Sequence, residues 1–245
     1  MTHTPNENVL ARKLWNAGPL DPEDLRRLDQ VIADPFELDA REDLIQHGED
    51  PQNVHLVLSG MVCRYKVLPN GKRAIVALML PGDICDLHVA ILGRMDHSIG
   101  TLTDCRLVKI SRRTIDDLLD NHPRIRRALF WSTLVDEAIL REWLVNMGRR
   151  RADQQMAHLF CEVHARLNAV DRMHGALLPL TQEELADILG ISSVHAQRVL
   201  SGLRKKELVT VQDSRVALPD IRRIREFAQF EGDYLHLGEA ADSGD

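Results

Sequence analysis

Apolar and polar positions change their spacing several times along the chain, and each change predicts an element. Residues 1–20 hold no sustained period and read as loosely structured. A helix is predicted after Leu20, with Asp21 as N-cap, Pro22 at the first helical position and Leu25, Leu28 and Ile32 on one face. From Phe36 to about Ile110, short apolar stretches alternate with Gly, Pro, Asn and Asp: Asp43 to Ile45, Val54 to Leu58, Met61 to Leu68, Ala74 to Leu80, Ile99 to Leu102 and Arg106 to Ile110. Such even spacing predicts an antiparallel sandwich or barrel, with Asn70-Gly71 as a hairpin turn. The period then becomes helical. Ser111 caps a short helix to Leu119, and Pro123 opens a long one to about Asn146. In the long helix Ile125, Ala128, Ser132, Val135, Ile139, Glu142 and Asn146 form one stripe of mixed polarity, while Leu129, Leu134, Ala138 and Leu144 occupy other faces. A helix apolar on several sides has more than one neighbour. One face is expected on the β-domain and another on the same helix of a second subunit; a monomeric core helix is the alternative. Gly148, followed by Arg149, Arg150 and Arg151, reads as a hinge. Met156, Leu159, Phe160, Val163 and Leu167 then mark a further amphipathic helix.

The densest signals lie between Leu180 and Lys206, LTQEELADILGISSVHAQRVLSGLRKK. Thr181 is a good N-cap, and Glu184 three residues on completes a capping box. Leu185, Ala186, Ile188 and Leu189 form an apolar face, and Gly190 stands where a left-handed residue ends a helix. Ser192 or Ser193 caps a second helix, buried through Val199, Leu200 and Leu203. Its exposed side carries Ser193, His195, Gln197, Arg198, Arg204, Lys205 and Lys206. Two short helices about a glycine turn, the second polar and basic, describe either a helix-turn-helix DNA reader or an ordinary helical hairpin. The segment that follows favours the reader. Leu208 to Val211 and Arg215 to Leu218 read as two strands around a polar turn, the wing of a winged helix.

Composition changes this picture little. With 245 residues, 44% of them hydrophobic, the chain can hold two modest domains with real cores. The longest apolar run, Ile75 to Leu80, is too short to span a bilayer. No signal-peptide pattern opens the sequence, and Cys63, Cys85, Cys105 and Cys161 are widely spaced, which points to a reducing cytoplasm without a disulfide framework. The net charge of −6 conceals an asymmetry. Residues 148–230 carry 13 Lys or Arg against 10 Asp or Glu, whereas residues 231–245 carry five acids and no base. The basic excess coincides with the helix-turn-helix, as binding to phosphates requires.

Together these parts resemble the Crp/Fnr superfamily of bacterial transcription regulators, over roughly residues 20 to 230. The β-domain match rests on Gly48, Gly60, Gly71 and Pro81-Gly82-Asp83, and the C-terminal match on LTQEELADILG followed by Ser and, further on, Arg. The resemblance implies an α+β fold: a flexible N-terminus (1–20), a jelly-roll-like antiparallel β-roll that senses a signal (21–120), a dimerisation helix (121–148), a winged helix-turn-helix (149–230) and an acidic tail (231–245). It implies double-stranded DNA, a second copy of the chain and RNA polymerase as partners, with no membrane and no enzymatic activity. The expected DNA-binding residues are Thr181, Gln182, Ser192, Ser193, Val194, His195, Gln197, Arg198 and Lys205. In the family an Arg, a Glu and a second Arg read bases. Those positions hold Ser193, Val194 and Arg198 here. Arg198 can pair with O6 and N7 of guanine, and Gln197 with adenine. Val194 cannot accept from cytosine N4 but can touch a thymine methyl, so altered specificity is expected.

The sensory end departs further. Members that respond to cyclic AMP hold its ribose with a Gly-Glu and its phosphate with an Arg-Ser-Ala; here Asp86-Leu87 and His97-Ser98-Ile99 stand instead. Histidine is a poor substitute for a permanent cation. A Thr-Ser pair that contacts adenine in that subgroup falls near Leu134-Val135. Cyclic AMP in the usual mode is therefore not expected. An N-terminal four-cysteine iron–sulfur cluster is excluded, because residues 1–62 contain no cysteine. Cys85, Asp86, His88, His97, Ser98, Leu134 and Val135 mark a possible effector pocket. A haem ligand among Cys85, His88 and His97, a thiol switch, or signalling through protein contacts are the alternatives. No cofactor or metal is assigned.

Overall fold

The computed structural model describes residues 8–87, 92–171, 178–212 and 215–237. His88 lies outside them. The chain forms two compact units, one built from residues up to 66 with 76–136, the other from 67–75 with the residues from 137 onward.

The first unit opens with two short helices, α1 (Val9–Trp15) and α2 (Pro22–Val31). Asp21 caps α2 through a complete capping box with Asp24. Among the described residues seven strands follow: β1 (Pro35–Leu38), β2 (Asp43–Ile45), β3 (Asn53–Ser59), β4 (Val62–Val67), β5 (Arg73–Met79), β6 (Ser98–Thr101) and β7 (Cys105–Ser111). They make one sheet in the order β1-β7-β3 and another in the order β2-β6-β4-β5. The register aligns Leu56 with Val108 and Cys63 with Gly100 in antiparallel pairs. One core lies inside the roll, with Ile45, Val57, Val62, Met79, Ile99 and Leu107 among its members. A second core joins the opposite face of β3 and β7 (Val54, Leu56, Val108, Ile110) to Leu10, Leu14, Leu28, Ile115 and Ile125 of the helices. β3 is covered on both faces and reads as an apolar run from Val54 to Leu58 broken by His55 alone, whereas β7 keeps Arg106 and Lys109 exposed between its buried residues.

At two turns glycine also permits a close backbone approach. Gly60, between β3 and β4, has φ +89°, and a Cβ there would lie 2.4 Å from the Asp104 carbonyl oxygen and 2.6 Å from Cys105 Sγ. Gly82 of the Pro-Gly-Asp turn has φ +90°, and a Cβ there would meet the Val9 carbonyl at 2.9 Å. Asp83 next to it accepts from the Leu80 N–H at 2.7 Å and pairs with Lys13 of α1. The stretch expected to be loosely structured is thus corrected over its described part. Asn8 caps α1, and Leu10, Ala11 and Leu14 are buried against the core.

Ser111 caps α3 (Arg112–Asn121), and α4 runs unbroken from Pro123 to Arg149. Within the stretch expected as a hinge, Gly148 and Arg149 are still helical and the chain turns at Arg150 and Arg151. There Gln155 donates from Nε2 to the Arg150 and Met147 carbonyls, at 2.8 and 3.4 Å, satisfying acceptors the helix end leaves free. The two units part between Asp136 and Glu137, inside α4. One side of α4 is buried through Ile125, Ala128, Leu129, Val135, Ala138, Ile139 and Trp143, while Phe130, Leu134, Leu140, Leu144, Val145 and Met147 are exposed.

The second unit continues with α5 (Ala152–Asp171), α6 (Gln182–Leu189), α7 (Ser193–Lys205), β8 (Thr210–Gln212), β9 (Arg215–Ala217) and α8 (Ile221–Ala228). Residues 231–237, read as part of an acidic tail, are anchored through Tyr234 and Leu235, while Glu231, Asp233 and His236 are exposed. Phe230 and Leu235 are buried, and Tyr234 hydroxyl donates to Glu162 Oε2 at 3.0 Å. The apolar residues of this stretch, and not its acids, decide its fate. Residues 238–245 lie outside the described residues.

Candidate nucleic-acid interface

The helix-turn-helix forms as the residues demand. Thr181 Oγ1 accepts from the Glu184 N–H at 3.2 Å, and Glu184 Oε2 accepts from the Thr181 N–H at 2.7 Å. Gly190 ends α6 at φ +65° and directs its N–H to the Ala186 carbonyl. Ser192 Oγ then caps α7 by accepting from the His195 N–H. Leu185 and Ile188 of α6, with Ala196, Leu200 and Leu203 of α7, are buried. The wing pairs Val211 with Val216, and Val216 exchanges both backbone hydrogen bonds with Leu178 at 2.7 and 2.9 Å.

Packing of α7 on Ala196, Leu200 and Leu203 leaves Ser193, Val194, Gln197, Arg198 and Ser201 exposed. Val194, Gln197, Arg198 and Ser201 follow one another at helical spacing, so they share a single solvent face. Among the described residues between 148 and 237, Val194 is the one large apolar side chain left exposed, at 64%. Arg198 forms no ion pair among the described residues. Of the other expected DNA-binding residues, Gln182, Ser192 and Lys205 are exposed, and Thr181 and His195 are half-buried. Lys206, read as part of the exposed basic side, is tied to Asp153 Oδ2 at 3.2 Å and stands over the Phe227 ring.

Among the described residues, those named for a possible effector pocket each have their own surroundings. Cys85 is packed inside the roll, where burial and the neighbouring Asp86 push its thiol well above the ordinary range. Asp86 is fully buried and accepts from His55, at 2.7 Å from the backbone N–H and 2.9 Å from Nδ1. His97 stands 2.6 Å from Asp96 Oδ1, and burial moves its pKa down in spite of that carboxylate. Ser98 Oγ accepts from the His47 N–H. Leu134 and Val135 lie on different faces of α4, the first exposed and the second buried.

A pocket of about 660 Å³ opens elsewhere in the first unit, beside the first half of α4. It is lined by Arg64, Leu87, Leu119, Arg126, Phe130 and Asp136 among others. Arg64 donates from Nε and Nη2 to the Cys85 carbonyl at 3.0 and 2.8 Å and stands 3.6 Å from Asp136 Oδ2. Sequence reasoning missed this pocket. Arg126 and Phe130 give no periodic signal, and Arg64 is remote from both in sequence.

Two family models match the chain: the cyclic nucleotide-binding domain over residues 35–122 and the Crp-like helix-turn-helix domain over residues 154–227. The chain belongs to the Crp/Fnr family. The transcriptional activator protein FnrL of Cereibacter sphaeroides is 28% identical over 222 residues, 87% of each chain. The nitrogen fixation regulation protein FixK of Bradyrhizobium diazoefficiens is 27% identical over 176 residues, 70% of this chain and 72% of that one. Among solved structures, FixK2 from Bradyrhizobium japonicum superposes with a TM-score of 0.70 at 23% identity, covering 79% of this chain and 96% of that one. That likeness shows the fold: a β-roll, helices and a C-terminal helix-turn-helix. The chain is a Crp/Fnr-type transcription regulator with a helix-turn-helix DNA-binding domain. Among the described residues, no helix is long and apolar enough to cross a membrane, and no group of three His, Cys, Asp or Glu is placed to hold a metal ion.

Proposed function

We propose that this regulator acts as a homodimer in the cytoplasm, binding a palindromic operator through two copies of α7 and responding to a signal received by its β-roll. The observation that carries the reading is the solvent face of α7, where Val194, Gln197 and Arg198 stand exposed while the opposite face is buried. A helix held in this way can lay its N-terminal half against base edges in the major groove. The exposed apolar side of α4, from Phe130 to Met147, supports pairing with a second copy. Two half-sites would then lie one helical turn apart, about 34 Å. A ligand in the 660 Å³ pocket would bear directly on α4 and so shift the population of DNA-competent dimers. RNA polymerase is the further partner this reading implies.

The test is selection from a random DNA pool by the purified protein, with its mass measured by sedimentation. The reading expects a dimer and an inverted repeat. A monomer that enriches no sequence, with or without candidate ligands, overturns it.

A further inference from the structure

We infer that Val194 reads the 5-methyl group of a thymine, so that one base of each half-site is chosen by apolar contact and not by a hydrogen bond. The inference rests on the DNA-binding reading above and goes on to specify part of the operator. Val194 is the second residue of α7, one position beyond Ser193, and it is 64% exposed, whereas the other large apolar side chains among the described residues between 148 and 237 are covered. A single exposed valine is unremarkable in itself. Its place gives it meaning. It shares a face with Gln197 and Arg198, at the end of the helix that enters the groove first. An isopropyl group has no donor or acceptor. It therefore cannot hold a phosphate, nor read cytosine N4, guanine O6 or adenine N6. The thymine methyl is the one apolar group the bases present in the major groove.

Neighbouring residues fix where that thymine lies. Arg198 is four residues further along, about 6 Å of helix rise, and is free of ion pairs among the described residues. Its guanidinium suits guanine O6 and N7, which places the thymine within about two base pairs of that guanine. Gln197, between the two along the helix, suits an adenine. Thymine recognised here leaves adenine on the opposite strand, so Val194 and Gln197 can read the same or adjacent pairs.

The experiment begins from the selected operator. Each thymine in both half-sites is replaced in turn by deoxyuridine, which deletes only the methyl group, and the dissociation constant is measured for the wild type and for Val194→Ala. At one position the wild type should lose about fourfold per half-site, roughly 15-fold for the pair, as expected for one buried methyl. Val194→Ala should lose most of that sensitivity and bind the deoxyuridine and thymine operators alike. At the same position, 5-methylcytosine should outbind cytosine with the wild type and not with the variant. Val194→Glu should shift the preference there towards cytosine, whose N4 a carboxylate can accept. Indifference to every deoxyuridine replacement, or a uniform loss in Val194→Ala without change of base preference, overturns the inference while leaving DNA recognition intact. Failure to select any operator removes the DNA-binding reading, and this inference with it.

Discussion

Replacing Tyr234 with Phe should cost the second unit about 2 kcal/mol. Glu162 is fully buried on α5, and three side chains serve its carboxylate. Trp143 Nε1 is shared between the two oxygens at 3.2 and 3.0 Å, Arg166 Nη1 reaches Oε1 at 3.3 Å, and Tyr234 hydroxyl reaches Oε2 at 3.0 Å. Tyr234→Phe keeps the ring that stacks on His158 at 6.0 Å and packs on Phe230 at 6.1 Å. It removes one hydrogen bond to a buried charged group, worth about 1.5–3 kcal/mol. For a chain of this size that corresponds to a fall of about 4–8 °C in Tm. Urea denaturation followed by circular dichroism would read the free energy directly.

The pH dependence sharpens the test. Burial raises the pKa of Glu162, opposed by Arg166 and by the bonds from Tyr234 and Trp143. A carboxyl raised in the folded state contributes stability at low pH and loses it as pH rises through its folded pKa. Without the Tyr234 donor that pKa moves further up, so the variant loses more at neutral pH. The gap between the two proteins should therefore shrink towards pH 4.5, where a protonated carboxyl no longer needs the phenol. A penalty below 0.5 kcal/mol, or one of equal size at both pH values, would refute the account of Tyr234 as a donor to a buried charge (the order of magnitude at issue is that of one charged hydrogen bond).

Four further outcomes follow from the same structure. Gly60→Ala should destabilise the first unit by about 1–3 kcal/mol or more, since φ is +89° and the new Cβ meets the Asp104 carbonyl; a variant with unchanged Tm would contradict that geometry. Thr181→Ala should cost about 0.5–2 kcal/mol by opening the capping box of α6, readable as a lower urea midpoint, with Thr181→Ser largely restoring it. Burial, with Arg150 nearby, pushes His158 down to about 4 although Glu142 lies 3.3 Å away, so folding should lose up to about 3 kcal/mol as pH falls from 6.5 to 4, and His158→Gln should flatten that slope if this histidine causes it. All four cysteines are buried, and burial raises the thiols of Cys85, Cys105 and Cys161, the last to about 12, so the native protein should resist Ellman's reagent and the unfolded chain should titrate four thiols; rapid native reaction would reopen a thiol switch.

What the sequence made legible follows from how far each signal reaches along the chain. Thr181, Glu184, Gly190 and Ser192 act within one helical turn of themselves, and the helix-turn-helix stands where their spacing places it. The strands were legible for a related reason, since Gly60, Gly71 and Gly82 punctuate them with turns that require positive φ. Elements held by distant partners were not. The helix α1 is only seven residues long, too short to be stable by propensity, and exists because its face covers the Pro81-Gly82-Asp83 turn some seventy residues away. Tyr234 sits in an acidic stretch that reads as solvated, yet its hydroxyl completes a site 72 residues back. Asp86 and His97 looked available to a ligand because no local pattern reveals His55 beside the one or the depth at which the other is buried. Val194 is the opposite case. Its departure from the family's carboxylate is visible in sequence, but an apolar residue there could equally have been buried. Only the packing of Ala196, Leu200 and Leu203 leaves it facing solvent, and with it the chemistry that a half-site must answer.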